Sequence, residues 1–153
     1  MAILPFLDEQ ALYDKYNLNE PCDSENNQKV FAQIPDVFRN LNSAGDPTHT
    51  CYLGFSGPNT VLSDGSKGIR FRDVTDGESA TILVSEAQRE IPWTKSEDIP
   101  CDEDTTGLKL GGFHKGGFNI LLTDGSVRFI SEQLDKSNLI YPIIRNDQQR
   151  VSF

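Results

Sequence analysis

His114-Lys115-Gly116-Gly117-Phe118-Asn119-Ile120-Leu121-Leu122-Thr123-Asp124-Gly125-Ser126-Val127-Arg128-Phe129-Ile130 is the stretch from which this chain is best read. Residues 118–123 are β-prone and apolar, and Val127, Phe129 and Ile130 resume the same pattern after Asp124-Gly125. An Asp-Gly pair between two such runs tolerates the positive φ angles of a tight turn, so the stretch predicts a β-hairpin. His114 and the pair Gly116-Gly117 introduce it, and nine residues separate the histidine from Asp124-Gly125.

Working outward, Thr81-Ile82-Leu83-Val84 is a continuous β-branched and aliphatic run behind the Asp76-Gly77 turn. It predicts a buried central strand. Cys51-Tyr52-Leu53-Gly54-Phe55 predicts another, with Gly54 marking a bulge or a close approach. Residues 91–112 hold two prolines, Trp93, an acidic cluster and a glycine pair, and read as a long ordered surface loop. Between residues 4 and 16, Leu4, Leu7, Ala11 and Leu12 share one side at helical spacing while Asp8, Glu9 and Asp14 share another, which predicts an amphipathic N-terminal helix. Ser24 caps a second short helix reaching Val30-Phe31, and Leu139, Ile140, Ile143 and Ile144 predict a short final one, weakened by Pro142.

The 153 residues fit a single domain, and a chain of this size removes about two thirds of its unfolded surface from water. Its net charge of −9, from 14 basic and 23 acidic residues without a basic cluster, argues against nucleic-acid and anionic-lipid partners. No stretch reaches the roughly 20 apolar residues of a membrane span, and no signal-peptide pattern follows Met1. Cys22, Cys51 and Cys101 are widely spaced and lack a C-x-x-C unit, which excludes zinc-finger and thioredoxin-like readings. In an oxidising compartment one pair forms a disulfide; in a reducing one all three remain thiols.

Several residues are candidates for chemistry. His114 is a base or ligand by type, yet no nucleophile elbow accompanies it, and the competing reading has its ring fix the entry to the hairpin beside Gly116-Gly117. His49, in a polar loop, supports no zinc site. Asp102, Asp104 and Thr106, followed by Gly107, offer oxygen ligands as the first half of a calcium loop does, but Phe113 stands where the bidentate acid belongs. Calcium is therefore the one cofactor the sequence suggests, against the plain reading of a solvated acidic loop. Asp76 and Glu86 flank the central strand. A hydrolase using either one with His114 requires them within hydrogen-bond reach or in a shared cleft. The structural alternative has Asp76 stabilise its own turn and Glu86 satisfy a buried amide or pair with Arg89. Trp93, the sole tryptophan, stacks on a ligand if exposed and plugs the fold if buried.

The H-x9-DG spacing resembles the C-terminal signature of a bacterial family whose members begin with a prepilin-type cleavage and methylation segment, catalogued as a solute-binding-protein-like domain of unknown function. Leu4-Pro5-Phe6-Leu7-Asp8-Glu9-Gln10 with Leu12-Tyr13, and Tyr16-Asn17-Leu18-Asn19-Glu20-Pro21, look like its opening blocks. Phe71-Arg72-Asp73-Val74-Thr75-Asp76-Gly77-Glu78-Ser79-Ala80-Thr81-Ile82-Leu83-Val84-Ser85-Glu86-Ala87 is similar to its central element. Pro92-Trp93-Thr94-Lys95 and Leu110-Gly111-Gly112-Phe113-His114 also match. The chain departs from the family in starting just before the opening block, without the apolar helix that usually precedes it. It also has Val37-Phe38-Arg39-Asn40-Leu41-Asn42-Ser43 where many members carry a Cys-Pro-Ser element.

The resemblance implies an α+β, pilin- or pseudopilin-like head: an N-terminal helix packed on an antiparallel sheet with long loops. It implies a non-catalytic extracytoplasmic subunit at the cell surface or in the periplasm, partnered by its own copies or other pilin-like subunits. Membrane attachment would come only through a helix upstream of Met1. The alternative it leaves open is an extracytoplasmic module that binds a solute or glycan through Trp93, His114 and the acidic loop.

Overall fold

The computed structural model describes residues 1–62, 68–101 and 108–149, with the backbone alone at 136 and 137. In chain order come a 3-10 turn at Leu4–Leu7, helices α1 (Gln10–Tyr13) and α2 (Glu25–Phe31), strands β1 (His49–Ser56), β2 (Ile82–Pro92), β3 (Ile99–Pro100), β4 (Gly117–Leu122) and β5 (Val127–Ser131), and helix α3 (Ile140–Ile143). The strands form a sheet in the order β3-β1-β2-β4-β5. β4 pairs antiparallel with both β2 and β5, whereas β1 and β3 are parallel, so the sheet is mixed.

By contact density the chain divides into two compact units, Met1–Cys51 with Glu90–Ser96, and Tyr52–Arg89 with Glu97–Phe153. The first unit has its own small core of Leu4, Leu12, Val30 and Trp93, with Tyr13, Tyr16, Phe31, Ile34 and Phe38 packed against it. The second buries Leu53, Phe55, Ile82, Phe118, Ile120, Leu122, Ile130, Leu139 and Ile143.

The expected pilin-like arrangement is overturned by this architecture. There is no continuous helix over residues 4–16 and none packed on a sheet. Pro5 is tolerated only in a first helical turn, and the chain leaves that turn at Asp8, whose φ of +61° is left-handed. α1 then lasts four residues. Leu4 and Leu12 still bury themselves as their spacing suggests, but among Val30 and Trp93. The sheet expected to be antiparallel carries a parallel edge at Phe55↔Ile99 and Ser56↔Pro100.

Other expectations are met. Ser24 caps α2, its Oγ accepting the Asn27 N–H at 3.2 Å. Gly54 marks a close approach, since a Cβ there would lie 2.2 Å from the Leu62 Cδ1. The hairpin forms in the register Phe118↔Ile130, Asn119↔Phe129 and Ile120↔Arg128. Its loop is one residue longer than a tight two-residue turn. The Leu122 N–H donates to Ser126 O at 2.9 Å and Gly125 N–H to Leu122 O at 3.0 Å, so Thr123, Asp124 and Gly125 make the turn. Only the glycine sits at positive φ, +84°. Asp124 Oδ1 accepts from the Ser126 N–H and hydroxyl at 2.9 and 2.7 Å, which holds its carboxyl below the usual carboxylate range.

The segment expected to be one long loop is more ordered than its composition suggests. β2 runs on to Pro92, β3 occupies Ile99–Pro100, and Leu110 bridges Ala87.

Candidate functional site

The candidate site lies where β2 changes partner within the second unit. Ser85 faces Ile120 in the β2–β4 ladder, but the next carbonyl, that of Glu86, accepts the Gly111 N–H at 2.8 Å instead of continuing along β4. Ala87 then bridges Leu110, and the Gln88 N–H donates to Lys109 O at 2.8 Å. Continuing the register, that departure deprives the Asn119 N–H of its backbone acceptor. The Glu86 side chain supplies another: its Oε2 accepts the Asn119 N–H at 2.9 Å. A carboxylate thus stands in for a strand carbonyl.

Its other oxygen is also used within the fold. Glu86 Oε1 accepts from Asn119 Nδ2 at 3.2 Å and lies 3.1 Å from His114 Nε2. Asn119 Nδ2 lies 3.4 Å from the same His114 Nε2, so the three side chains meet at one point. Glu86 is 1% exposed, and burying such a group is tolerable only when its lone pairs are satisfied, as they are here. His114 is held from the other side by the Phe129 ring, edge-on at 6.4 Å between centroids.

Glycines bring these groups together. Gly111 and Gly112 (φ +77° and +99°) turn the chain at the partner switch, and Gly116 (φ +87°) turns it from His114 into β4. Gly117 is required sterically, because a Cβ would lie 2.1 Å from Ile130 O and 2.6 Å from the Phe129 ring. The glycine pair before the hairpin therefore serves a close backbone crossing and a reversal.

Asp76 makes a second buried tie in this unit. It is 4% exposed, and its Oδ2 and Oδ1 accept the N–H groups of Asp147 and Gln148 at 2.8 and 2.9 Å. The expectation that Asp76 stabilises its own turn is corrected: Gly77 takes the turn's positive φ, +102°, and the carboxylate fastens the C-terminal segment. Asp147, beside Asp76, has its own carboxyl raised, by burial first and by that neighbour next. Arg145 continues the clamp with bonds from Nη1 to Pro58 O and Thr60 O at 3.2 and 2.8 Å.

The remaining candidates stay apart from the Glu86 network. Trp93 belongs to the first unit, is buried, stacks on Phe38 at 5.6 Å and donates from Nε1 to Phe31 O at 2.8 Å. Its face is committed to the core, the plugging role of the two foreseen. Arg89 does not meet Glu86; it pairs with Glu97 and donates to Asp98 O at 2.9 Å. His49 sits 3.4 Å from Asp46 and edge-on to Phe31. Cys22 is half-buried and Cys51 and Cys101 are buried, the Cys51 Sγ accepting from Asn40 Nδ2 at 3.3 Å. Asp102, Asp104 and Thr106 lie outside the described residues. Among the described ones no group of three or more His, Cys, Asp and Glu side chains is gathered to hold a metal. No helix among them is long and apolar enough to cross a membrane.

Sequence reasoning did not foresee Asn119, which presents both its backbone and its side-chain N–H to Glu86. Its one signal was a polar side chain in the middle of an otherwise apolar strand.

Residues 89–137 match the family model SBP_bac_10, described as a protein of unknown function (DUF1559). The SBP_bac_10 match spans His114, Asn119 and the whole hairpin, and begins three residues after Glu86. No curated protein and no solved structure matches the chain.

Proposed function

We propose that this chain is a non-catalytic subunit of an extracytoplasmic surface or secretion-type assembly, whose signature residues build a scaffold and carry out no reaction. The observation that carries this reading is the state of Glu86. A general acid or base needs an oxygen or nitrogen facing the substrate, whereas both Glu86 oxygens are spent on Asn119 and His114 and the Glu86 side chain is buried. The distance criterion for a Glu86–His114 hydrolase is met, but the acid's accessibility is not. The surface setting comes from the resemblance to prepilin-type proteins in the H-x9-DG spacing and the blocks at residues 4–13 and 71–87. The test is fractionation of the producing cells combined with chemical cross-linking. The chain is expected at the cell surface or in the periplasm in species larger than a monomer; a cytosolic monomer would overturn the reading.

One observation favours a second reading, a solute-binding module. An open groove of about 600 Å³ in the second unit is lined by Ala87, Ile99, Pro100 and Leu108 with the polar Gln88, Arg89 and Lys109, a size and mixed lining that suit a small organic solute. Thermal-shift measurements against sugars, amino acids and small carboxylates separate the two: a saturable shift abolished by Arg89→Ala supports binding, and no shift leaves the assembly reading.

A further inference from the structure

Among the described residues no strand pairs with the outer edge of the hairpin, which carries a self-complementary pattern. In the β4–β5 ladder the Leu122 N–H meets Ser126 O and the Glu132 N–H meets Gly116 O, so the even-numbered residues of β5 direct their backbone toward β4. The backbone N–H and C=O groups of Val127, Phe129 and Ser131 therefore face away from it, on the last strand of the sheet. Among the described residues the only backbone bond to any of them is from the Leu134 N–H to Ser131 O, and a carbonyl has a second lone pair. Val127 and Phe129 are 62% and 55% exposed. A regular edge strand with exposed apolar side chains is a template for another strand, and soluble proteins usually blunt such edges.

We infer that β5 pairs antiparallel with β5 of a second copy of this chain. Charge selects both occupant and register. Arg128, in β5, and Glu132, one residue past its end, are exposed and four residues apart, a spacing that alternation puts on one side of a strand; neither forms a salt bridge among the described residues, and Arg128 also attracts the Asp124 carboxylate. A two-fold axis through Ile130 sets Arg128 of each copy opposite Glu132 of the other, giving two opposite-charge pairs. The same axis places Phe129 opposite Ser131, so that the outward N–H and C=O groups of both exchange hydrogen bonds. A register shifted to set Arg128 against Arg128 is penalised by like charge. The inference goes beyond the assembly reading, because the contact forms in purified protein whether or not a larger structure is built.

Sedimentation equilibrium on the purified chain tests it. Wild type is expected to dimerise, and Arg128→Glu and Glu132→Arg alone each to weaken the dimer by at least about tenfold, since each sets two like-charge pairs face to face. An equimolar mixture of the two variants restores both opposite-charge pairs and is expected to form a heterodimer at least as stable as wild type. Circular dichroism checks that each variant is folded, which surface charge reversals on an edge strand permit. A wild-type monomer, a dimer indifferent to the single reversals, or a mixture that stays monomeric would each overturn the inference.

Discussion

At the scale of single residues, the chemistry of this chain is concentrated in buried carboxylates that satisfy backbone N–H groups. Glu86→Gln keeps the side chain's shape but presents an amide N–H to donors on Asn119 and His114, so one donor is stranded in a buried site. Unfolding in urea is expected to show a loss of about 3 kcal/mol. Gly117→Ala forces a methyl against Ile130 O and is expected to cost about 2–3 kcal/mol in the same assay, because backbone on a paired strand has little room to move. Asp98 gives a pH signature. Burial raises its carboxyl above its ordinary 3.8, an effect partly opposed by the Gly54 N–H. The folded protein therefore holds that proton to higher pH than the unfolded chain, and the resulting stability is present below the ordinary value and lost as pH rises through the raised one. Asp98→Asn removes this dependence, so the stability of wild type relative to the variant is expected to fall between about pH 3 and pH 6. A difference that stays flat or rises would mean the carboxyl is not strained by burial.

At the scale of elements, what was legible in the sequence is what local chemistry decides. The hairpin, the Ser24 cap and the Gly54 close approach each depend on a few adjacent residues, and each is found where expected. Ser24→Ala is accordingly expected to cost about 1 kcal/mol, seen as reduced stability without change of fold. The N-terminal segment misled because its apolar spacing is helical while its backbone is not: Asp8 in the left-handed region ends the first turn, and the periodicity survives only as the burial of Leu4 and Leu12. The Glu86 network was half legible. A buried amide as the partner of Glu86 was foreseen, but its identity depends on β2 leaving β4 after Ser85, which is decided by Gly111 and Leu110 more than 20 residues away. Periodicity within one strand contains no trace of such a switch.

At the scale of the whole molecule, two compact units each keep a buried apolar set, and Trp93 is the largest buried side chain in the first. Trp93→Ala removes a ring stacked on Phe38 and leaves Phe31 O without its donor, with an expected loss of about 3–5 kcal/mol by circular dichroism during denaturation. A loss below about 1 kcal/mol would mean the ring is dispensable to that core. The net charge of −9 keeps most of the surface repulsive to polyanions and anionic lipid, which makes β5, with its apolar residues and balanced Arg128 and Glu132, stand out as a contact strand. Whether His114 serves the fold through Glu86 is read out by a double-mutant cycle of His114→Ala and Glu86→Ala in urea unfolding. Strong non-additivity is expected, a coupling of about 1–3 kcal/mol, because either change alone already breaks the tie. Additive effects, or a His114→Ala variant as stable as wild type, would contradict it.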